Sequence, residues 1–96
     1  MMNQFIDFAF TLNPEAVSSL NDSGIVILHT GKGRVFSSNK TGAMIWQGLE
    51  HRRSLAGIVE EISGEFQIPE TTARRHTLNF LTALEQQSLI KNEVVS

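Results

Sequence analysis

The sequence contains no cysteine. Disulfides, thiolate chemistry and cysteine-held zinc are therefore excluded, and a cytoplasmic location is the simplest reading. No apolar run approaches the ~20 residues needed to span a bilayer. The opening MMNQFIDFAF lacks a basic leading segment, and Asp7 interrupts its apolar run, so it makes a poor signal peptide. There is no repeat and no low-complexity tract. Nor is there a strong charge of one sign: 8 Lys and Arg stand against 10 Asp and Glu, for a net −2. That balance gives no broad attraction to a phosphate backbone.

Catalytic signatures are missing too. His29, His51 and His76 are scattered, with no i,i+4 pair to seed a metal site. Thr30-Gly31-Lys32-Gly33 lacks the spacing of a phosphate loop and precedes a strand rather than a helix, so it reads as a hairpin turn. Glu60, Glu61 and Glu65 fall on the expected outer face of a helix, and no serine has a histidine and acid framework around it. Neither a cofactor nor a metal is implied, and the chain is not expected to be an enzyme.

What remains is 96 residues with 41% hydrophobic side chains, enough for one small domain. Ile6, Phe8, Phe10 and Leu12 alternate at period two, which predicts a strand. Asn13-Pro14-Glu15 breaks it. Ala16 to Leu20 reads as a second strand, and Asn21-Asp22-Ser23-Gly24 as a tight turn. Gly24 to His29, rich in β-branched residues, predicts a buried strand. After the Thr30–Gly33 turn, Arg34 to Ser37 closes a hairpin. Val35 and Phe36 must face opposite sides of that strand; sequence does not say which faces inward.

From Asn39 the period becomes helical. Asn39 is a candidate N-cap, accepting from the amides at positions 41 and 42. Ile45, Trp46 and Leu49 make the first helical stripe, with Trp46 expected in the core. His51-Arg52-Arg53 follow, where the helix dipole favours positive charge. Ser54 can cap a second helix carrying Leu55, Ile58, Val59, Ile62 and Phe66. Pro69 suits the first turn of a third, with Ala73, Thr77, Phe80, Leu81 and Leu84 on its inner face. Leu89-Ile90 and a short polar tail can add one more extended segment. Strands followed by helices indicate α+β. The expected fold is winged-helix-like, a three-stranded antiparallel sheet packed on a three-helix bundle.

The strand-turn-strand Gly24–Ser37, the junction Ser38-Asn39-Lys40-Thr41-Gly42-Ala43 with Ile45-Trp46, and the closing Leu84…Leu89-Ile90 resemble the PqqD-like family. The likeness runs from about Pro14 to Ile90. It divides the chain into residues 1–13, a Phe-rich segment able to form an extra strand, and residues 14–96, the PqqD-like domain. The resemblance implies a stand-alone recognition element for the leader segment of a ribosomally made, modified peptide. Such elements take the leader as an added strand, between the third strand and the third helix, and present it to a modifying enzyme: a leader peptidase or a radical enzyme. Both lasso-peptide and quinone-cofactor pathways use them.

Carried onto this chain, the resemblance implies a peptide-binding set of Gly33, Arg34, Val35, Phe36 and Ser37 on the strand and Arg74, Arg75, Leu78 and Leu81 on the helix. Arg74-Arg75 would meet acidic leader side chains; the plainer reading of the pair is a solvated helix face. The Phe-rich stretch is a departure from the family pattern. Phe5, Phe8 and Phe10 are expected to pack on the sheet, and exchange of this strand between two chains would make a homodimer. The competing function is a winged-helix DNA-binding regulator with the third helix in the major groove. Glu70, Glu85 and the acidic balance weigh against it.

Overall fold

A computed structural model describes residues 10–92. Its elements, in chain order, are β1 (Phe10–Leu12), β2 (Ala16–Asn21), β3 (Gly24–His29), β4 (Arg34–Ser38), α1 (Lys40–Glu50), α2 (Leu55–Phe66), α3 (Glu70–Gln86) and β5 (Ile90–Asn92). The expected α+β architecture is the one observed. β2, β3 and β4 form a three-stranded antiparallel sheet in that order, with three helices against it. The tail does add an extended segment, and it pairs with β1 in a separate two-stranded ribbon, Phe10 opposite Asn92 and Leu12 opposite Ile90. Residues 10–12 are thus tied to the end of the domain. The rest of the Phe-rich segment, including Phe5, Ile6 and Phe8, lies outside the described residues.

β3 is the central strand because its side chains can be buried. Ile25, Ile27 and His29 face inward and are buried. Opposite them stand Leu20, Ser18 and Ala16 of β2 and Ser38, Phe36 and Arg34 of β4. Against this face pack Ala43, Ile45 and Trp46 of α1, Ile58, Val59 and Ile62 of α2, and Ala73, Leu81 and Leu84 of α3. Thr77 joins them, its hydroxyl donating to Ala73 O at 2.8 Å. Trp46 is a core residue as expected; among the described residues its buried indole Nε1 has no hydrogen-bond partner.

Local signals set the helix ends. Asn39 Oδ1 accepts from Gly42 N at 3.0 Å, and Ser54 Oγ accepts from Gly57 N at 3.0 Å. Pro69 sits one position before α3 rather than within it, in extended backbone, and its carbonyl accepts from Ala73 N. The basic trio lies just past α1: His51 is the C-cap and Arg52 turns the chain with φ +57°. The dipole therefore meets these groups beyond its last turn.

Asn13 clamps the two ends of the domain. Its main-chain N–H donates to Leu89 O at 2.9 Å and its Nδ2 to Ser88 O at 2.8 Å, while Oδ1 accepts from Glu15 N at 2.8 Å. The same Nδ2 lies 3.3 Å from Nε2 of the buried His29. Asn13→Ala removes the side-chain bonds together, and each is worth about 0.5–1.5 kcal/mol net. We expect a loss of about 1–3 kcal/mol, read as a lower urea midpoint with an unchanged m-value.

Candidate functional site

Among the described residues the sheet has a free edge beside α3, and backbone alternation decides what that edge offers. Thr30 N–H donates to Glu15 O at 2.9 Å, so the pair Glu15–Thr30 is hydrogen-bonded. Antiparallel ladders alternate. The main-chain groups of Gly24, Val26 and Leu28 therefore point to β2, and those of Ile25, Ile27 and His29 to β4. On β4 this engages Ser38, Phe36 and Arg34. The N–H and C=O groups of Val35 and Ser37 point away from the sheet. Among the described residues they meet no main-chain partner on that side. An extended polypeptide laid there would find a ready ladder.

Side chains follow the opposite parity. Phe36 faces inward, partly buried, and its ring meets Phe80 of α3 at a centroid distance of 5.9 Å and an angle of 57°. Tilted aromatic pairs of this kind add ~0.5–1.5 kcal/mol beyond their buried area. Val35 faces outward and is 66% exposed. The question left open by the sequence is answered: Phe36 forms the floor and Val35 the rim.

A groove opens between the end of β4, the start of α1 and α3, lined by Ser38, Asn39, Thr41, Gly42, His76 and Phe80. Gly42 makes the close approach possible. A Cβ there would overlap the Ser38 hydroxyl and come within 2.8 Å of the Phe80 ring. At the opposite end of β4 the groove turns cationic. Arg34 Nη1 donates to Gln87 Oε1 at 3.4 Å, and Lys32 Nζ to Ser88 Oγ at 3.2 Å. Neither cation has a carboxylate partner among the described residues. The site is a strip of free main chain over an aromatic floor, polar at one end and positive at the other.

The β4 residues singled out from sequence, Gly33 to Ser37, lie along this strip; Gly33 takes φ +62° at its start. The α3 residues fare differently. Leu81 is 3% exposed and belongs to the core, so it supports the groove from beneath. Leu78 is 43% exposed but stands two positions from Phe80, ~200° around the helix. Arg74 and Arg75 are exposed, ~120° and ~140° from Phe80 on either side. The side chains that the fold brings to β4 are Phe80, His76 and Asn79 of α3 and Gln87, its C-cap, instead. His76 and Gln87 stand four and seven residues from Phe80, and Asn79 three from His76, a spacing visible in the sequence once Phe80 is taken as the contact to the strand.

A separate hollow between β1, β5 and the end of α3 is lined by Leu12, Asn13, Pro14, Glu85, Ser88 and Lys91, among others. Its two strands are only three residues long, too short to template a peptide. Among the described residues no group of three or more His, Asp or Glu side chains is placed to hold a metal ion.

This fold is that of a known family. Residues 24–90 match the family described as "Coenzyme PQQ synthesis protein D (PqqD)", and the chain belongs to it. Two solved structures are similar along nearly their whole length. One is TbiB1 in complex with the TbiA(beta) leader peptide, with 28% identity and a TM-score of 0.80, covering 88% of this chain and 99% of that one. The other is lasso peptide synthetase B1 complexed with the leader peptide, with 28% identity and a TM-score of 0.79, covering 86% and 98%. No curated protein matches the sequence significantly.

Gly42→Ala tests the spacing of the groove. The added methyl must push Ser38 or the Phe80 ring aside. Overpacking of this kind costs about 1–3 kcal/mol. We expect a lower unfolding midpoint together with altered ring-current shifts at Phe36 and Phe80, whereas Gly64→Ala, where a Cβ meets nothing within 4 Å, leaves those shifts unchanged.

Proposed function

We propose that this protein is a noncatalytic carrier. It binds the leader segment of a ribosomally made precursor peptide as a fourth strand on β4 and delivers it to a modifying enzyme, either a leader peptidase or a radical enzyme. The observation that carries this reading is the main chain of Val35 and Ser37 beside α3, which meets no strand on its outer side among the described residues. Family membership supports it, as do two similar proteins solved with leader peptides bound. The likeness to lasso peptide synthetase B1 makes a lasso-type precursor, rather than a quinone-type one, the first to try.

The physics of such a carrier is simple. Main-chain pairing supplies affinity with little regard to leader sequence, and the groove supplies selectivity. An apolar leader side chain fits the Phe36–Phe80 floor. An acidic one fits the end where Arg34 and Lys32 lack a carboxylate. Holding the leader raises the effective concentration of the attached core at the enzyme. Nothing favours the DNA-binding alternative: Arg74 and Arg75 diverge around α3, and Glu70 opens that helix. No helix among the described residues is long and apolar enough to cross a membrane.

Titration of the isotope-labelled protein with its cognate leader should move the amide signals of Gly33–Ser37 and of His76, Asn79 and Phe80. Shifts confined to other elements would reject the site. Val35→Pro deletes an outward donor while leaving the β3–β4 ladder intact, since that ladder uses Arg34, Phe36 and Ser38. Loss of one bond of ~1.4 kcal/mol weakens leader binding about tenfold without unfolding the domain. Arg34→Ala should weaken a leader carrying an acidic residue and flatten the salt dependence of its binding; an unchanged salt slope would remove Arg34 from the site.

A further inference from the structure

The outward face of the sheet is chemically unusual. Antiparallel sheets with one face in water normally present polar side chains there. Here two cross-strand rows stand side by side, Ser19–Val26–Ser37 and Val17–Leu28–Val35. None of the six residues is charged. The second row is wholly aliphatic and open to solvent, with Val17 55%, Leu28 38% and Val35 66% exposed. Three apolar side chains aligned across three strands form a contiguous stripe rather than scattered exposure, and such patches mark interaction sites.

The stripe ends at Val35, on the strand whose other edge is free. A leader strand added to β4 would lie next to Val35 in the same pleated plane. Its outward side chains would extend the row from three strands to four. The same surface is therefore narrower in the empty protein and wider in the loaded one.

We propose that this face is the docking surface for the enzyme that processes the precursor, and that the enzyme meets it with an uncharged, apolar surface of its own. The proposal rests on leader addition at β4. Continuity with that edge singles out the enzyme as occupant: a protein seated on the row touches carrier and leader together, and so selects carriers that are loaded. Absence of charge on the face fits a partner recognised by packing rather than by ion pairs. The composite row also places the enzyme on the side of the sheet opposite α1, α2 and α3, where the helices cannot obstruct it.

The test uses the full chain with its cognate leader and its processing enzyme. Val17→Lys/Leu28→Lys puts two charges on the row at strands remote from the free edge. Leader affinity by fluorescence polarisation should stay within twofold of the parent. Processing of the full precursor, followed by mass spectrometry, should fall at least tenfold. Val17→Thr/Leu28→Thr, which keeps β-branched or strand-compatible side chains and adds no charge, should fall less, in the same direction, and guards against misfolding. Unchanged processing by both variants overturns the proposal. So does a parent that sediments as a dimer and a Lys variant that sediments as a monomer with full processing, which would assign the face to a second copy. If the parent itself fails to bind the leader, the reading of the β4 edge is what fails, and the docking proposal falls with it.

Discussion

The contact of Phe36 with Phe80 sets the dimensions on which the rest of the site depends. It ties the last strand of the sheet to α3 and so fixes how far the helix stands from the free edge. Gly42 holds the third side of that arrangement, because only a residue without a Cβ lets α1 start so close to Ser38 and Phe80. Strand, helix start and long helix are thereby locked into one groove by three residues from three elements. A leader strand needs this spacing, since main-chain bonds tolerate only a few tenths of an ångström.

Alternation along β4 then divides labour by parity. Arg34, Phe36 and Ser38 use their main chain inside the sheet and turn their side chains to the groove and core. Val35 and Ser37 do the reverse, with main chain toward the groove and side chains on the outer face. One five-residue strand thus carries a floor for side-chain recognition, a ladder for backbone pairing and part of an outer apolar row. Shifting the register by one residue would exchange all three roles at once.

Much of this was legible in the sequence. The Asn21–Gly24 turn, the β-branched run Ile25–Leu28, and the caps Asn39 and Ser54 each have a local physical cause, and each element formed where that cause predicts. That β4 is an edge strand was readable for the same reason, because a hairpin followed at once by a helix leaves its second strand at an edge. Which α3 residues stand beside it was not. Choosing Arg74, Arg75 and Leu78 required knowing which flank of α3 turns toward β4, and that depends on how α1 seats against both. The inner stripe Ala73–Thr77–Leu81–Leu84 defines the buried face but not which flank of it meets the strand. Leu81 fell within that stripe and is accordingly core. The ribbon of β1 with β5, like the Asn13 clamp beside it, is a long-range contact with no local signature.

Among the described residues β2 and β4 are both sheet edges; Ser18 of β2 reaches Glu50 at the end of α1, whereas β4 is tied to α3 through Phe36–Phe80 and Arg34–Gln87. That helix acts as a spacer against folded proteins. A lone extended segment is thin enough to slip between α3 and the strand, but the margin of another sheet brings its own neighbouring strand and side chains, and α3 stands where they would have to go. An edge flanked in this way would favour a single extended chain over the edge-to-edge stacking that exposed strands otherwise invite.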